Sequence, residues 1–581
     1  MQVLEQKLSM SLMHQVPETA KMPVSIGVRR MALLGVATSF LLWAGFFPLN
    51  QGWVAWFALV PLLALIRSAS STRSLLFISY LSGFVFFLAA LNWMRVAHPM
   101  MIFAWIALAM YCALYFPLAA WLLRRLDRCY SLPFTLTLPI IWTSLEFFRA
   151  HFLTGFPWYF IGLTQHDYLP LIQIADLGGV YAVSFLVLAA NGFMFELASR
   201  WFPLDLLLPL PAPFSWKSLA AQTALVLLLG IATFAYGVWR MAQADFKEGP
   251  RVALLQTNVG QDMKNAKNDA GPDGVVAANS IVEHTKELTD TIVRERQNPD
   301  LIIWPETTFT EDWLEAVAGT SPNDLPAELP EGIQSRERLV ANVARYSQAH
   351  VLLGLNTREY GCGGECRRYN SALLVCLGDN SVCRYDKMHR VLFGEYVPLR
   401  ETMPWLETFT PYDHEYSLSE GQRFTRFNLP TSHGEFHFGV LICYEDSISQ
   451  LARHYAREEE NQPPVDFLVN MSNDGWFDGT EEHEEHLAVC RFRAVEARRA
   501  VARAVNMGIS AVIDGNGRVT ALPRDSWSAS KKVAAAFTAT VPIDSRSSWY
   551  ARLGDCFAGG CAGIGLMGII GTFVRRKRTQ S

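Results

Sequence analysis

The chain of 581 residues is 51% hydrophobic and only 18% charged, against about 25% charged in an ordinary soluble protein. Its mean hydropathy is +0.15, which with that composition excludes a disordered chain, a coiled coil and a small disulfide-built scaffold. The charge is also unevenly placed: residues 31–240 hold 16 of the Asp, Glu, Lys and Arg side chains, and residues 241–555 hold 78. The first stretch has the composition of a membrane part, the second that of a water-facing one. The second has 32 basic against 46 acidic side chains, which argues against a nucleic-acid partner.

In chain order, residues 1–30 are polar, with no short apolar core followed by a small-residue cleavage site, so no cleaved signal peptide is expected. A membrane helix needs ~20 apolar residues. Residues 31–66 carry no charge and are split by Pro48-Leu49-Asn50-Gln51-Gly52 into two spans. Further apolar runs cover 74–94, 96–123, 132–148 (ending near Glu146 and Arg149), 177–195 and 218–239, and a glycine-rich run covers 556–574. The expectation is a membrane α-helical domain of eight transmembrane helices, seven in 31–240 and the eighth at 556–574.

Orientation follows from basic residues in short loops. With a cytoplasmic N-terminal segment (1–30), that side collects Arg29, Arg30, Arg67, Arg73, Arg124, Arg125, Arg128, Arg200, Lys217 and the basic tail 575–581, while the other side has only Arg95 and Arg149. Residues 241–555 are then extracytoplasmic. Within them, apolar β-type runs at 252–255, 301–304, 351–354, 371–375, 439–442 and 467–469 alternate with amphipathic stretches at 335–349 and 482–500, and 320–332 reads as a loop. That alternation argues for a layered α/β domain.

Three segments place a reactive side chain at the end of an apolar strand: Trp304-Pro305-Glu306-Thr307, Tyr385-Asp386-Lys387-Met388-His389 and Leu441-Ile442-Cys443-Tyr444-Glu445. Loops beyond strand ends are where α/β folds place their chemistry. A carboxylate, an ammonium and a thiol suffice for acyl transfer, as base, oxyanion partner and nucleophile. No spacing rule brings the three together.

These segments resemble those of the nitrilase, or carbon–nitrogen hydrolase, superfamily, and nearly the whole chain, from about 30 to 574, is similar to the bacterial apolipoprotein N-acyltransferase family. Other matching stretches are Ser144–Arg149 with Thr154–Trp158, Phe393–Pro398, Ser472–Phe477, Arg491–Glu496 and Asn506–Asp514. The resemblance implies a nitrilase-like αββα sandwich with Glu306 as general base, Lys387 as oxyanion-stabilising cation and Cys443 as nucleophile. It makes Glu395 a second glutamate supporting the lysine, and Tyr444, Glu445 and Trp476 residues that line the site. It further implies an inner-membrane enzyme with its catalytic domain on the periplasmic side and no cofactor. The acyl chain would pass from a phospholipid, through a thioester, to the α-amine of a diacylated apolipoprotein. Arg390, Leu392 and Asn265 depart from the family pattern.

Read singly, each candidate has a plainer explanation. Cys443 alone would be a packing residue, Glu306 a loop carboxylate and Lys387 a surface charge; the trio favours catalysis. Glu146 and Arg149 either pair at a span end or act on substrate, and Trp476 equally suits an interfacial anchor. His389, His437 and His486 are expected to satisfy hydrogen bonds, with no metal-ligand spacing. Cys362, Cys366, Cys376 and Cys383 have disulfides, a zinc site or free thiols open to them. The rival functions are a membrane-tethered amidase that hands its thioester to water, and a non-catalytic lipoprotein-binding scaffold.

Overall fold

The computed structural model describes residues 26–580 except 69, 202–213, 268–270, 379–380, 399–401, 406–416 and 460–461, with the side chains of 576–580 also left aside. Most of the N-terminal segment (1–25) therefore lies outside the described residues, as do Ser581 and the side chains of 576–580 in the basic tail.

Five helices are long and apolar enough to cross a membrane by length and composition: Thr72–Ala90, Met101–Tyr130, Val180–Trp201, Trp216–Ala242 and Cys556–Arg575. Eight spans were expected. The difference comes from three runs. Val28–Gly45 and Phe134–His151 are helical, but the first includes Arg29 and Arg30 and the second Glu146, Arg149 and His151. The run after Gly52 makes one 3-10 turn, Gly52–Trp56, and an eight-residue helix, Val60–Arg67. Met101–Tyr130 is interrupted at Leu114, between helices Met101–Ala113 and Tyr115–Tyr130. Pro117 supplies the cause: its ring crowds the carbonyl four residues back, that of Ala113, and it has no N–H to offer.

The glycine-rich helix Cys556–Gln580 packs on Phe134–His151 and Tyr115–Tyr130. Its small residues allow the approach, since a Cβ at Gly571 would run into the Tyr130 hydroxyl. The arginine-rich helix ends meet one another. Arg67 pairs with Asp127 at 2.9 Å and Glu196 at 2.6 Å, and Arg575 reaches the Cys129 carbonyl at 2.9 Å.

From Lys247 onward the chain builds two sheets. In the first, β1 (Lys247–Gln256), β2 (Leu301–Ile303), β4 (His350–Tyr360), β5 (Cys366–Val375) and β6 (Val382–Asp386) lie in that order, with β13 (Ala535–Ile543) outside β1 and β3 (Trp313–Ala316) on β4. In the second, β12 (Val519–Ala521), β11 (Ala511–Ile513), β10 (Ala500–Asn506), β9 (Phe467–Asn473), β8 (Gly434–Ile442) and β7 (Arg426–Thr431) follow one another. Their facing sides share one apolar core, in which Val252, Leu254 and Leu352 meet Phe438, Val440 and Val469. Helices Pro272–Arg294 and Leu329–Ser347 cover the outer face of the first sheet, and Glu482–Ala497 covers that of the second. The layers are α, β, β, α.

The second outer helix departs from expectation. A charged face on a helix ordinarily meets solvent, yet all 16 residues of Glu482–Ala497 are buried. Leu487, Cys490 and Ala494 pack on the sheet, while Val489, Phe492 and Val495 pack into the core of the membrane-type helices. The helix is a shared layer. Arg498, fully buried just after it, donates to Asp176 Oδ2 at 2.9 Å and to Gln173 Oε1 at 2.7 Å from across this junction.

Removing one partner of a buried pair strands the other charge, at a cost of about 3 kcal/mol or more. Arg240 also holds Asp176, at 2.7 Å, so the low end applies here. Arg498→Met should lower the unfolding temperature of the detergent-solubilised protein by several degrees, read by scanning fluorimetry; an unchanged transition would show that the junction ion pair contributes nothing.

Candidate active site

Glu306, Lys387 and Cys443 lie just beyond the C-terminal ends of β2, β6 and β8. Two of these strands belong to the first sheet and one to the second, so the sandwich itself brings the residues together. Lys387 Nζ is 2.8 Å from Glu395 Oε1 and 3.6 Å from Glu306 Oε1. Lys387 is buried, which works against its charge, but the flanking Glu395 and Glu306 carboxylates and the Cys443 sulfur raise its pKa above the ordinary lysine value. It is held as an ammonium.

Glu306 is anchored at both oxygens. Asn370 Nδ2 donates to Oε1 at 2.7 Å and the Asn473 backbone N–H donates to Oε2 at 2.8 Å. Lys264, itself buried, donates to the Glu306 carbonyl at 2.8 Å and to Thr307 Oγ1 at 3.2 Å; burial pushes its pKa down to about 7. Thr307 has φ +50° and Cys443 has φ +53°, a region that side chains with a Cβ seldom enter and that stores strain. In a turn this sharp, the nucleophile candidate stands at the end of its strand rather than in either face of the sheet. Asn470 Nδ2 holds the Cys443 carbonyl at 3.3 Å, and Arg503 grips the Oδ1 of the same amide.

Glu445 links two of the segments. Its Oε1 accepts from the backbone N–H groups of Met388 at 2.7 Å and His389 at 2.9 Å, and its Oε2 accepts from that of Ile442 at 2.7 Å. Tyr385 Oη lies 3.0 Å from both oxygens. Expected to line the site, Glu445 is fully buried and fixes the lysine loop to the cysteine turn. Tyr444 is half-buried, stacked on Trp158 with centroids 6.1 Å apart. Trp476 is half-buried in the turn Asp474–Phe477. Glu146 and Arg149 sit elsewhere, in the helical part, and each holds a neighbouring backbone segment. Glu146 Oε1 accepts from Ile161 N at 2.9 Å, and Arg149 Nη2 donates to the Tyr159 carbonyl at 3.2 Å. Both line a small, mostly apolar cavity with Phe87, Tyr115, Phe116 and Trp142.

Among the described residues, Asp474, Glu482 and His486 bring ligand-type atoms within 4.8 Å of one another. Arg503 already occupies Asp474 at 2.8 Å and Asp446 at 3.3 Å, supplying the positive charge that a metal would bring. His486 spans Asp446 at 2.9 Å and Asp474 at 3.2 Å, which raises its pKa despite burial. This is an ion-paired support under the cysteine turn. All ten cysteines are unpaired thiols.

Residues 38–193 match the family described as apolipoprotein N-acyltransferase N-terminal domain, and residues 251–549 match carbon-nitrogen hydrolase. The chain belongs to the apolipoprotein N-acyltransferase family, within the carbon–nitrogen hydrolases. Among its relatives, an apolipoprotein N-acyltransferase of Geobacter metallireducens is 29% identical over 92% of this chain and 93% of its own length. One from Rhodopirellula baltica is 28% identical over 95% of this chain and 100% of its own. A solved carbon-nitrogen hydrolase from Helicobacter pylori is 15% identical over 50% of this chain and 89% of that one, with a TM-score of 0.33. The chain is thus an acyltransferase of this family.

Its departures from the family pattern find local partners. Arg390 donates to the Leu418 carbonyl at 2.8 Å and lies 4.3 Å over the Tyr396 ring, and Asn265 accepts from Gln261 at 2.9 Å. Leu392 bridges to Tyr396 and stays exposed.

Sequence reading overlooked Asn370, Asn470, Arg503 and Lys264. Asn370, Asn470 and Arg503 stand inside buried strands. A polar side chain in such a place requires a partner, and that was the available signal.

Burial, with Glu306 adding to it and Lys387 opposing it, pushes the Cys443 thiol up to about 12. An ordinary thiol ionises near 8.5 and its alkylation rate then levels off. Alkylation of Cys443 by iodoacetamide, followed by peptide mass, should still be accelerating at about pH 10; a plateau near neutrality would mean a resting thiolate.

Proposed function

We propose that the protein moves an acyl chain from a phospholipid to the α-amine of the N-terminal diacylglyceryl-cysteine of apolipoproteins, by way of a thioester on Cys443. The convergence of Glu306, Lys387 and Cys443 at three strand ends carries this reading. The Cys443 sulfur attacks the ester carbonyl while its proton passes to Glu306. The oxyanion that develops faces the Lys387 ammonium. Collapse expels the glycerol alkoxide, which takes the proton back from Glu306 and leaves the thioester. In the second half the amine attacks, Glu306 accepts its proton, and the sulfur departs with that proton. The raised thiol pKa supports proton transfer during attack over a resting ion pair.

Glu395 we assign to holding Lys387, with Glu146 and Arg149 on the membrane side and Tyr444 and Trp476 around the opening. The family's relatives and the apolar helices support a membrane location. The joined arginine-rich helix ends, opposite the sandwich, support a cytoplasmic face there and a periplasmic catalytic domain of residues 241–555, with all eight apolar runs embedded. The amidase rival shares the triad. What favours a lipid-borne amine over water is the nucleophile turn's seat against the helical part, through the Trp158–Tyr444 stack.

Exposure to phospholipid alone should leave a hydroxylamine-labile acyl group on the Cys443 peptide, detected by mass, and Cys443→Ser should turn over poorly because a hydroxyl is less acidic and less nucleophilic. A wild-type peptide that stays unacylated with acceptor withheld would overturn the two-step scheme. Glu395→Gln, which weakens the 2.8 Å contact to Lys387, should slow turnover by ~10²-fold in a protein that still folds. Near-normal turnover would remove Glu395 from the reaction.

A further inference from the structure

A tyrosine hydroxyl has one hydrogen to give. Tyr159 Oη has three polar neighbours: the Ala90 carbonyl at 2.5 Å, Trp93 Nε1 at 2.8 Å and Glu485 Oε2 at 2.6 Å. The carbonyl only accepts and the indole N–H only donates. The single hydrogen therefore goes to Ala90, the last residue of helix Thr72–Ala90, and the Glu485 contact closes only if the carboxyl brings the proton. Oε2 also accepts the Trp158 indole N–H, at 2.9 Å. The hydroxyl oxygen of a neutral carboxylic acid does both at once, and a carboxylate does not.

Trp158 is in turn stacked on Tyr444 at an interplanar angle of 8°, and Tyr444 follows the nucleophile candidate in the chain. We propose that Glu485 works as a neutral carboxylic acid, a positioning residue that fixes Trp158, and through it Tyr444, beside Cys443. The functional half of this inference rests on the acyl-transfer reading above.

The surroundings agree. Glu485 is buried, and no Lys or Arg among the described residues makes an ion pair with it. Facing it are Tyr159, whose own carbonyl is held by Arg149, then His166 in the cavity they share, and Glu481, Glu482 and His486 on or beside its own helix. Burial, with the two glutamates adding to it, outweighs the opposing hydrogen bonds of Tyr159 and Trp158 and holds its pKa well above the carboxylate range. Its second oxygen has no partner among the described residues, as suits a neutral carbonyl better than a charged oxygen. The acid is retained as pH rises through the usual carboxylate range, and the arrangement is lost only when pH passes its raised folded-state pKa.

Infrared difference spectra of the full-length protein, wild type minus Glu485→Gln, test the protonation state without lipid. A protonated-carboxyl C=O band is expected, and a difference confined to carboxylate bands would overturn the inference. If Glu485→Gln does not fold, Trp158→Phe serves: losing the indole donor should shift that same band, and no change in the protonated-carboxyl region would again overturn it.

The kinetic arm uses thioester formation on Cys443. An amide can serve Trp158 or Tyr159 but not both, so Glu485→Gln should slow acylation about tenfold, as small misplacements near a reacting centre do. It should also remove an alkaline limb from the rate profile that the wild type shows. Full activity in Glu485→Gln would mean an ordinary acceptor carboxylate, which an amide oxygen replaces, and would sink the proposal. A wild type that forms no thioester yet shows the band would fail the acyl-transfer reading and with it the positioning role, while the neutral acid stands.

Discussion

The structure depends on one helix being buried on both sides. Residues 482–497 carry Glu482, Glu484, Glu485, Arg491, Arg493 and Glu496, and all of them are buried. Each charge removed from water needs a partner or a proton, and those partners come from both neighbours. Arg491 reaches the His166 carbonyl and Asp167 in the helical part, Glu496 caps the first turn of helix Val180–Trp201 through Val180 N at 2.8 Å, and Arg493 closes on Glu496 at 2.8 Å. On the sandwich side Lys531 meets Glu484 at 2.8 Å. Apolar packing would hold the two parts together at many registers. Directional polar contacts select one.

That register is what the candidate site requires. Cys443 and Thr307 both adopt backbone conformations that cost of order 1–3 kcal/mol each, and such strain persists only when surrounding contacts impose it. Arg503 and Asn470 restrain the cysteine turn from below, Glu445 ties it to the lysine loop, and Lys264 braces the backbone at Glu306. The reactive groups are therefore set by a polar scaffold drawn from strands β9 and β10, the turn after β8 and the helix Gln261–Ala266. Loop sequence alone does not place them.

The sequence was legible wherever a period or a composition dominated. The apolar runs became helices, and the six expected strands lie within β1, β2, β4, β5, β8 and β9. Five of the eight expected runs became helices long and apolar enough to span; in the other three the helix takes in Arg29 and Arg30, carries Glu146 and Arg149, or is shortened after Gly52. Helix Pro272–Arg294 was overlooked because its apolar residues are sparse and partly exposed, as at Val275 and Val276. Strand β10 was overlooked because Arg503 interrupts an apolar pattern in which that arginine is fully buried. The resemblance made Glu445 a residue lining the site; the three backbone N–H groups that meet its carboxylate come from two segments far apart in sequence, and no spacing announces them. The four cysteines between 362 and 383 had three fates open to them on spacing alone, and geometry had to choose.

The seating of helix Cys556–Gln580 between Tyr115–Tyr130 and Phe134–His151 has a consequence for biogenesis. Chains are made from the N-terminus, and their parts fold as they appear. The sandwich ends at Ile543, so the ribosome finishes it before the last helix emerges. Until then the side of Phe134–His151 that the glycine-lined helix covers lacks its neighbour. The bundle is thus completed by a latecomer, made only after every strand of the catalytic half.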